Sequence, residues 1–204
     1  MVTKAKKPVK SNISKMAIVG VLSAIAYILM FMEFSVPLMP VFIKMDLSDF
    51  PALIGSLAVG PVGGVIIALI KNLLHLTVTS TGGVGELSNF ILNAVFVIPA
   101  GFLYKKKKSK KSACGGAILG AVLMAAFSVV SNYFVVYPVY YNFMPEETIL
   151  AAYQAIFPGV KSILQSLVVF NMPFTFIKAM ISVVITFLVY NHLVPILTMN
   201  KRSE

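Results

Sequence analysis

Lys44–Lys71 reads KMDLSDFPALIGSLAVGPVGGVIIALIK, a short charged motif that enters apolar sequence directly at Phe50-Pro51. Ser48 or Asp49 is a good N-cap, and Pro51 suits the first turn of a helix. Gly60-Pro61 ends that helix after about ten residues, half of the ~20 needed to cross a bilayer. The apolar run then resumes through Gly63-Gly64 and carries Lys71, a charge that no soluble core would want. A short helix, a tight turn and a second helix with a buried charge predict the wall of a cavity within the membrane. A ligand pocket is expected to be anchored there.

Composition supports a membrane setting. Of 204 residues, 58% are hydrophobic and only 12% charged, and the mean hydropathy is +0.90. Soluble domains run nearer a quarter charged, so an integral membrane protein forming one unit is expected. Cys114 is the single cysteine, which excludes an internal disulfide and a cysteine metal cluster.

The net charge of +10 is placed in blocks: Lys4, Lys6, Lys7, Lys10 and Lys15; Lys105 to Lys108 with Lys110 and Lys111; and Lys201 with Arg202. Basic blocks that flank apolar segments are positive-inside signals. No aromatic-interleaved basic face accompanies them, so nucleic acid is not an expected partner. No small-residue cleavage site followed by a polar chain appears after the basic start, so the first helix is read as retained.

Apolar runs at 16–33, 50–59, 61–79, 87–104, 113–142 and 159–193 predict an all-α membrane protein of six transmembrane helices with both termini cytoplasmic. The chain then divides into a basic cytoplasmic tail (1–15), a six-helix membrane domain with an outward-facing pocket (16–193) and a cytoplasmic tail (194–204). The connections at 34–49, 80–86 and 143–158 face outward. The first is apolar and Pro-rich (SVPLMPVFIKM), which reads either as a lid over a hydrophobic ligand or as a segment lying on the lipid. In the third, Pro145-Glu146-Glu147 predicts a short helix at the outer rim. The pairs Gly20/Ala24, Gly60/Gly64 and Gly116/Gly120 have the small-xxx-small spacing that lets helices approach closely in lipid, either inside the protein or against a partner.

Polar residues recur at helical spacing in four of the runs. Lys71, His75 and Thr79 share a face of the third, with Asn72 adjacent, and Glu86, Asn89 and Asn93 share one of the fourth. The fifth carries Ser128, Ser131 and Asn132, then Tyr137, Tyr140 and Tyr141 around Pro138. The sixth carries Asn171, Thr175, Lys178 and Ser182. An intramembrane lysine costs at least about 2.5–3.5 kcal/mol, so it faces protein or water and is a site candidate by default. Lys178, beside Asn171 and Thr175, suits the carbonyls of a neutral heterocycle; the competing reading is a salt bridge to Asp49 or Glu86. For Lys71 a structural pair with Asp46, Asp49 or Glu86 is expected. His75 reads as a packing histidine, since nothing near it completes a metal site. No P-loop, G-x-S-x-G or H-E-x-x-H motif occurs, so neither ATP hydrolysis by this chain nor any other catalysis is expected.

At this point the residues resemble a known family. Lys44-Met45-Asp46-Leu47-Ser48-Asp49-Phe50-Pro51-Ala52-Leu53-Ile54-Gly55 is similar to the signature of the substrate-binding S components of energy-coupling factor (ECF) vitamin transporters. The match is closest to the riboflavin-specific members. GELSNF at 85–90, SNYFVVYP at 131–138 and MPFTFIKAMIS at 172–182 agree, and the resemblance runs from Met16 to about Leu193.

The resemblance implies a six-helix bundle of the bacterial plasma membrane that captures riboflavin as cargo, with no resident cofactor. The ligand would sit near the outer surface, under the first loop and against helices four to six. Asn132 and Lys178 match residues used on the flavin ring, with Glu86, Asn89 and Tyr137 nearby. Thr175 stands where relatives have asparagine in P-F-N-x-x-K, and Asn171, one turn earlier, would compensate. Leu38, Met39 and Met45 would cover the dimethylbenzene end. Gly20 and Ala24 align with the motif that docks S components onto the transmembrane T component, which works with two cytoplasmic ATPases. The resemblance further implies delivery of the cargo by toppling in the membrane. An S component for another vitamin or heterocycle would share Asp46 to Gly55. A stand-alone ion-coupled transporter would use Lys178 and Glu86 as proton or ion groups.

Overall fold

The computed structural model describes residues 9–190 and 192. Lys4, Lys6, Lys7, Lys201, Arg202 and the tail at 194–204 lie outside the described residues. Helix α1 (Val9–Phe31) starts before the apolar run at 16, because the polar residues ahead of that run continue the same helix. It leads into a small antiparallel hairpin of β1 (Phe34–Ser35) and β2 (Lys44–Met45), registered Phe34 to Met45 and Ser35 to Lys44. The first connection is therefore tied to itself by backbone hydrogen bonds.

Helix α2 (Asp49–Val59) and helix α3 (Pro61–His75) meet at Gly60, whose φ of +110° suits a residue without a Cβ. The Gly60 N–H bonds Ser56 O at 3.1 Å, and Pro61 begins the next helix. Ser48 stands at the N-cap position of α2 but makes no side-chain cap. Its hydroxyl is committed to Asp46 and to Lys71 instead.

Helix α4 (Val84–Lys106) follows a 3-10 turn (Leu76–Val78). Helix α5 (Lys110–Tyr140) widens into a π turn at Asn132–Val136. The rim helix expected from Pro145-Glu146-Glu147 forms as α6 (Glu146–Gln154). Helix α7 (Ile163–Leu188) carries a second π turn at Leu167–Asn171.

Among the described residues, five stretches are long and apolar enough to cross a membrane: Asn12–Phe31, Pro61–Val78, Val84–Lys106, Lys110–Tyr140 and Ile163–Leu188. The run at 50–59 forms a helix of 11 residues, about half the rise that a crossing requires. Nine of its residues, Asp49 and Pro51 to Ala58, are buried, so it is sheathed by the other helices. Its neighbours pack on small side chains such as Ala52, Ala100, Ala117, Ala121 and Ala179. Gly120 of α5 lies against α4, where a Cβ would meet Phe96 O at 2.1 Å. Gly116/Gly120 therefore serves packing within the chain. Gly20 and Ala24 instead face outward on α1, and a Cβ at Gly20 would meet nothing within 4 Å.

Candidate ligand site

The hairpin and the ends of α3, α4, α5 and α7 enclose a cavity. Its polar lining includes Asp46, His75, Glu86, Asn89, Asn132, Asn171, Thr175 and Lys178, and its apolar lining includes Met30, Phe42, Ile43, Met124, Tyr137 and Phe174. The two π turns bear directly on this site. Asn132 opens the first and Tyr137 directly follows it, while Asn171 closes the second. A π turn inserts one residue into a helix and is frequent at functional sites.

Charges at the cavity are paired. Lys178 Nζ donates to Asp46 Oδ2 at 2.7 Å and lies 3.7 Å from Asp49 Oδ2. Behind it, fully buried Lys71 bonds Asp49 Oδ1 at 2.8 Å and Ser48 Oγ at 2.5 Å. Asn93 donates to the same Asp49 oxygen. Two carboxylates and two ammonium groups thus form one buried neutral cluster joining the hairpin, α2, α3 and α7. Burial, the largest influence on Asp46, pushes its carboxyl up. The charges of Lys178 and Lys71, with hydrogen bonds from Lys178 and Ser48, together outweigh that and hold it well below the usual carboxylate range.

A second cluster centres on Glu86. It is bonded by His75 Nδ1 at 2.7 Å, by Thr79 Oγ1 at 2.9 Å and by Thr81 Oγ1 at 3.2 Å. Lys44 and Glu33, paired at 2.5 Å, are the least buried charged groups of the lining. Among the described residues, no group of three or more His, Cys, Asp or Glu side chains is arranged to hold a metal ion.

Seven of the ten residues expected to touch ligand line this cavity together: Glu86, Asn89, Asn132, Tyr137, Asn171, Thr175 and Lys178. Leu38, Met39 and Met45 do not. Leu38 sits at the hairpin's tip with φ +68° and is 76% exposed. Met45 is buried away from the cavity, since it and Lys44 are adjacent strand residues that point to opposite faces and Lys44 takes the cavity face. Phe42 and Ile43 supply the apolar cover instead. Lys71 has the structural partner expected for it, Asp49, and His75 is satisfied by Glu86. The partner of Lys178 is Asp46, with Asp49 second, and not Glu86. No local spacing marks Asp46, whose place follows from the hairpin's fold across the bundle.

Residues 14–190 match the family model of the ECF transporter substrate-specific component. The chain is 38% identical over 122 residues to the riboflavin transporter RibU of Staphylococcus aureus (strain TCH60), covering 60% of this chain and 65% of that protein, just under two thirds of its length. It is 32% identical over 189 residues to the riboflavin transporter FmnP of Bacillus subtilis (strain 168), covering 90% and 94%. A solved structure described as the S component of a bacterial ECF transporter aligns with a TM-score of 0.71 at 32% identity, covering 90% of this chain and 96% of that one.

Proposed function

The chain belongs to the substrate-specific components of ECF transporters, and from that premise we propose that it captures riboflavin in the cavity beneath its hairpin. It is a multi-pass protein of the bacterial plasma membrane, and its relatives are transporters rather than enzymes. The observation that carries the riboflavin reading is the convergence of Lys178, Asn132, Asn171 and Thr175 on one aromatic-walled cavity. An isoalloxazine ring presents two carbonyls, an imide N–H and flat apolar faces. The lysine and the amides supply donors for the carbonyls, and an amide or Asp46 oxygen supplies an acceptor for the imide. Phe42, Tyr137 and Phe174 suit the ring faces. The lining's lysines are paired with acids, which suits a neutral ligand.

In this reading a T component and two ATPases complete the importer, docking at the outward Gly20/Ala24 face of α1. In this reading both termini face inside, and α2, about half as long as a full crossing, completes the six helices of the bundle. Titration of the purified protein with riboflavin tests the binding claim. Saturable fluorescence quenching near one ligand per chain is expected. A protein that fails to quench would move the substrate to another heterocycle, with Thr175 as the first residue to suspect.

A further inference from the structure

Behind the cavity, three side chains close a hydrogen-bonded ring. Tyr153 on α6 is fully buried and is not part of the cavity wall. Its hydroxyl donates to Asn171 Oδ1 at 2.6 Å and lies 2.5 Å from the Tyr137 hydroxyl. Asn171 Nδ2 points at the Tyr137 hydroxyl at 3.5 Å. A phenol has one proton, so Tyr153, having given its own to Asn171, must receive that of Tyr137. The direction of every bond then follows: Tyr137 to Tyr153, Tyr153 to the Asn171 carbonyl, and the Asn171 amide back to Tyr137. Burial, then the neighbouring Tyr137, pushes the Tyr153 phenol well above its ordinary range, so it stays a donor.

From this arrangement we propose that Tyr153 is a positioning residue for the ligand site, holding the Asn171 amide so that its remaining N–H is the group offered to a ligand acceptor. This rests on the riboflavin reading, for which the acceptor is a ring carbonyl or ring nitrogen. Without the phenol, the Asn171 amide is free to turn and present its oxygen, and a flavin acceptor then meets another acceptor. The Tyr153 ring also packs edge-on against Phe42 at 6.2 Å and lies 5.4 Å from Phe170. Tyr153→Phe keeps those ring contacts and removes only the hydroxyl.

The test is a double-mutant cycle on riboflavin affinity with Tyr153→Phe, Asn171→Leu and the double variant. Tyr153→Phe is expected to raise Kd about tenfold and to shift the visible absorption band of the bound flavin. In the Asn171→Leu background it is expected to do nothing further. An unchanged affinity, or losses that simply add in the double variant, would overturn the proposal. If the unsubstituted protein does not bind riboflavin, the substrate reading fails by itself. The ring is then read from the side-chain amide resonances of Asn171 in the ligand-free protein. They are expected to move in Tyr153→Phe, and unmoved resonances would overturn the positioning role.

Discussion

Lys178 Nζ and Asp46 Oδ2 lie 2.7 Å apart across 132 positions of sequence, and their bond ties α7 to the hairpin that covers the cavity. Both side chains are almost wholly buried. A buried pair of this kind costs more to break than to replace, because removing one partner strands the other.

Lys178→Met is therefore expected to lose riboflavin binding and to destabilise the fold by about 3–5 kcal/mol. Asp46→Asn strands Lys178 less severely, since Asp49 remains at 3.7 Å. The double variant should be more stable than the sum of the two single losses. Thermal unfolding of all three proteins checks this, and strict additivity would contradict the pairing.

Lys71 belongs to the same cluster but stands behind the cavity wall. Lys71→Met is expected to lower stability by about 3–5 kcal/mol by leaving Asp49 short of a partner. Asn132→Ala should behave in the opposite way, with a large rise in the Kd for riboflavin and little change in Tm. Asn132 accepts from Ser88 at 3.2 Å and, among the described residues, belongs to no buried charge network. Parallel titration and melting curves separate the two behaviours.

The lowered pKa of Asp46 fixes the sign of its acid response. A carboxyl depressed in the folded state stabilises fully above its unfolded value of about 3.9, and that contribution drains away as pH falls from there through the lower folded value. The pair should thus be intact from about pH 8 down to about pH 5. Over that window the pH dependence of Tm is expected to have the same shape in the unsubstituted protein and in Asp46→Asn. A step present in one and absent from the other would contradict the assignment.

The two small-residue pairs should answer substitution differently. Gly120→Val drives a side chain into the Phe96 carbonyl, and is expected to disrupt the packing of α5 on α4 and lower Tm sharply. Gly20→Leu enters open space on α1 and should leave Tm unchanged. If this face docks the T component, Gly20→Leu will fail to co-purify with it. Retention of the complex would place the docking surface elsewhere.

Much of this was legible because membrane helices announce themselves by length and hydropathy, and because polar residues inside lipid must converge. The stripes through Asn89, Asn132, Asn171 and Lys178 mark the cavity wall in the sequence itself. The short helix after Asp49 was equally plain from Gly60-Pro61. What local pattern could not give was long-range pairing. Asp46 rather than Glu86 meets Lys178 because the hairpin folds its strand across the bundle, and no spacing encodes that. The hairpin also decides which of its residues look inward, turning Phe42 and Ile43 to the cavity and Leu38 to the outside. Tyr153 carries no local signal, because its role depends on two partners on other helices.

The neutral cluster also bears on the order in which the chain is made. Asp46, Asp49 and Lys71 are synthesised within one short interval, leaving two carboxylates to share a single ammonium group. Lys178 arrives only with the last long helix. Until then one of the two carboxylates has no ammonium partner of its own, so the cluster is complete only once α7 packs against the hairpin. The last long helix therefore locks a cluster whose other three members lie within the first half of the chain.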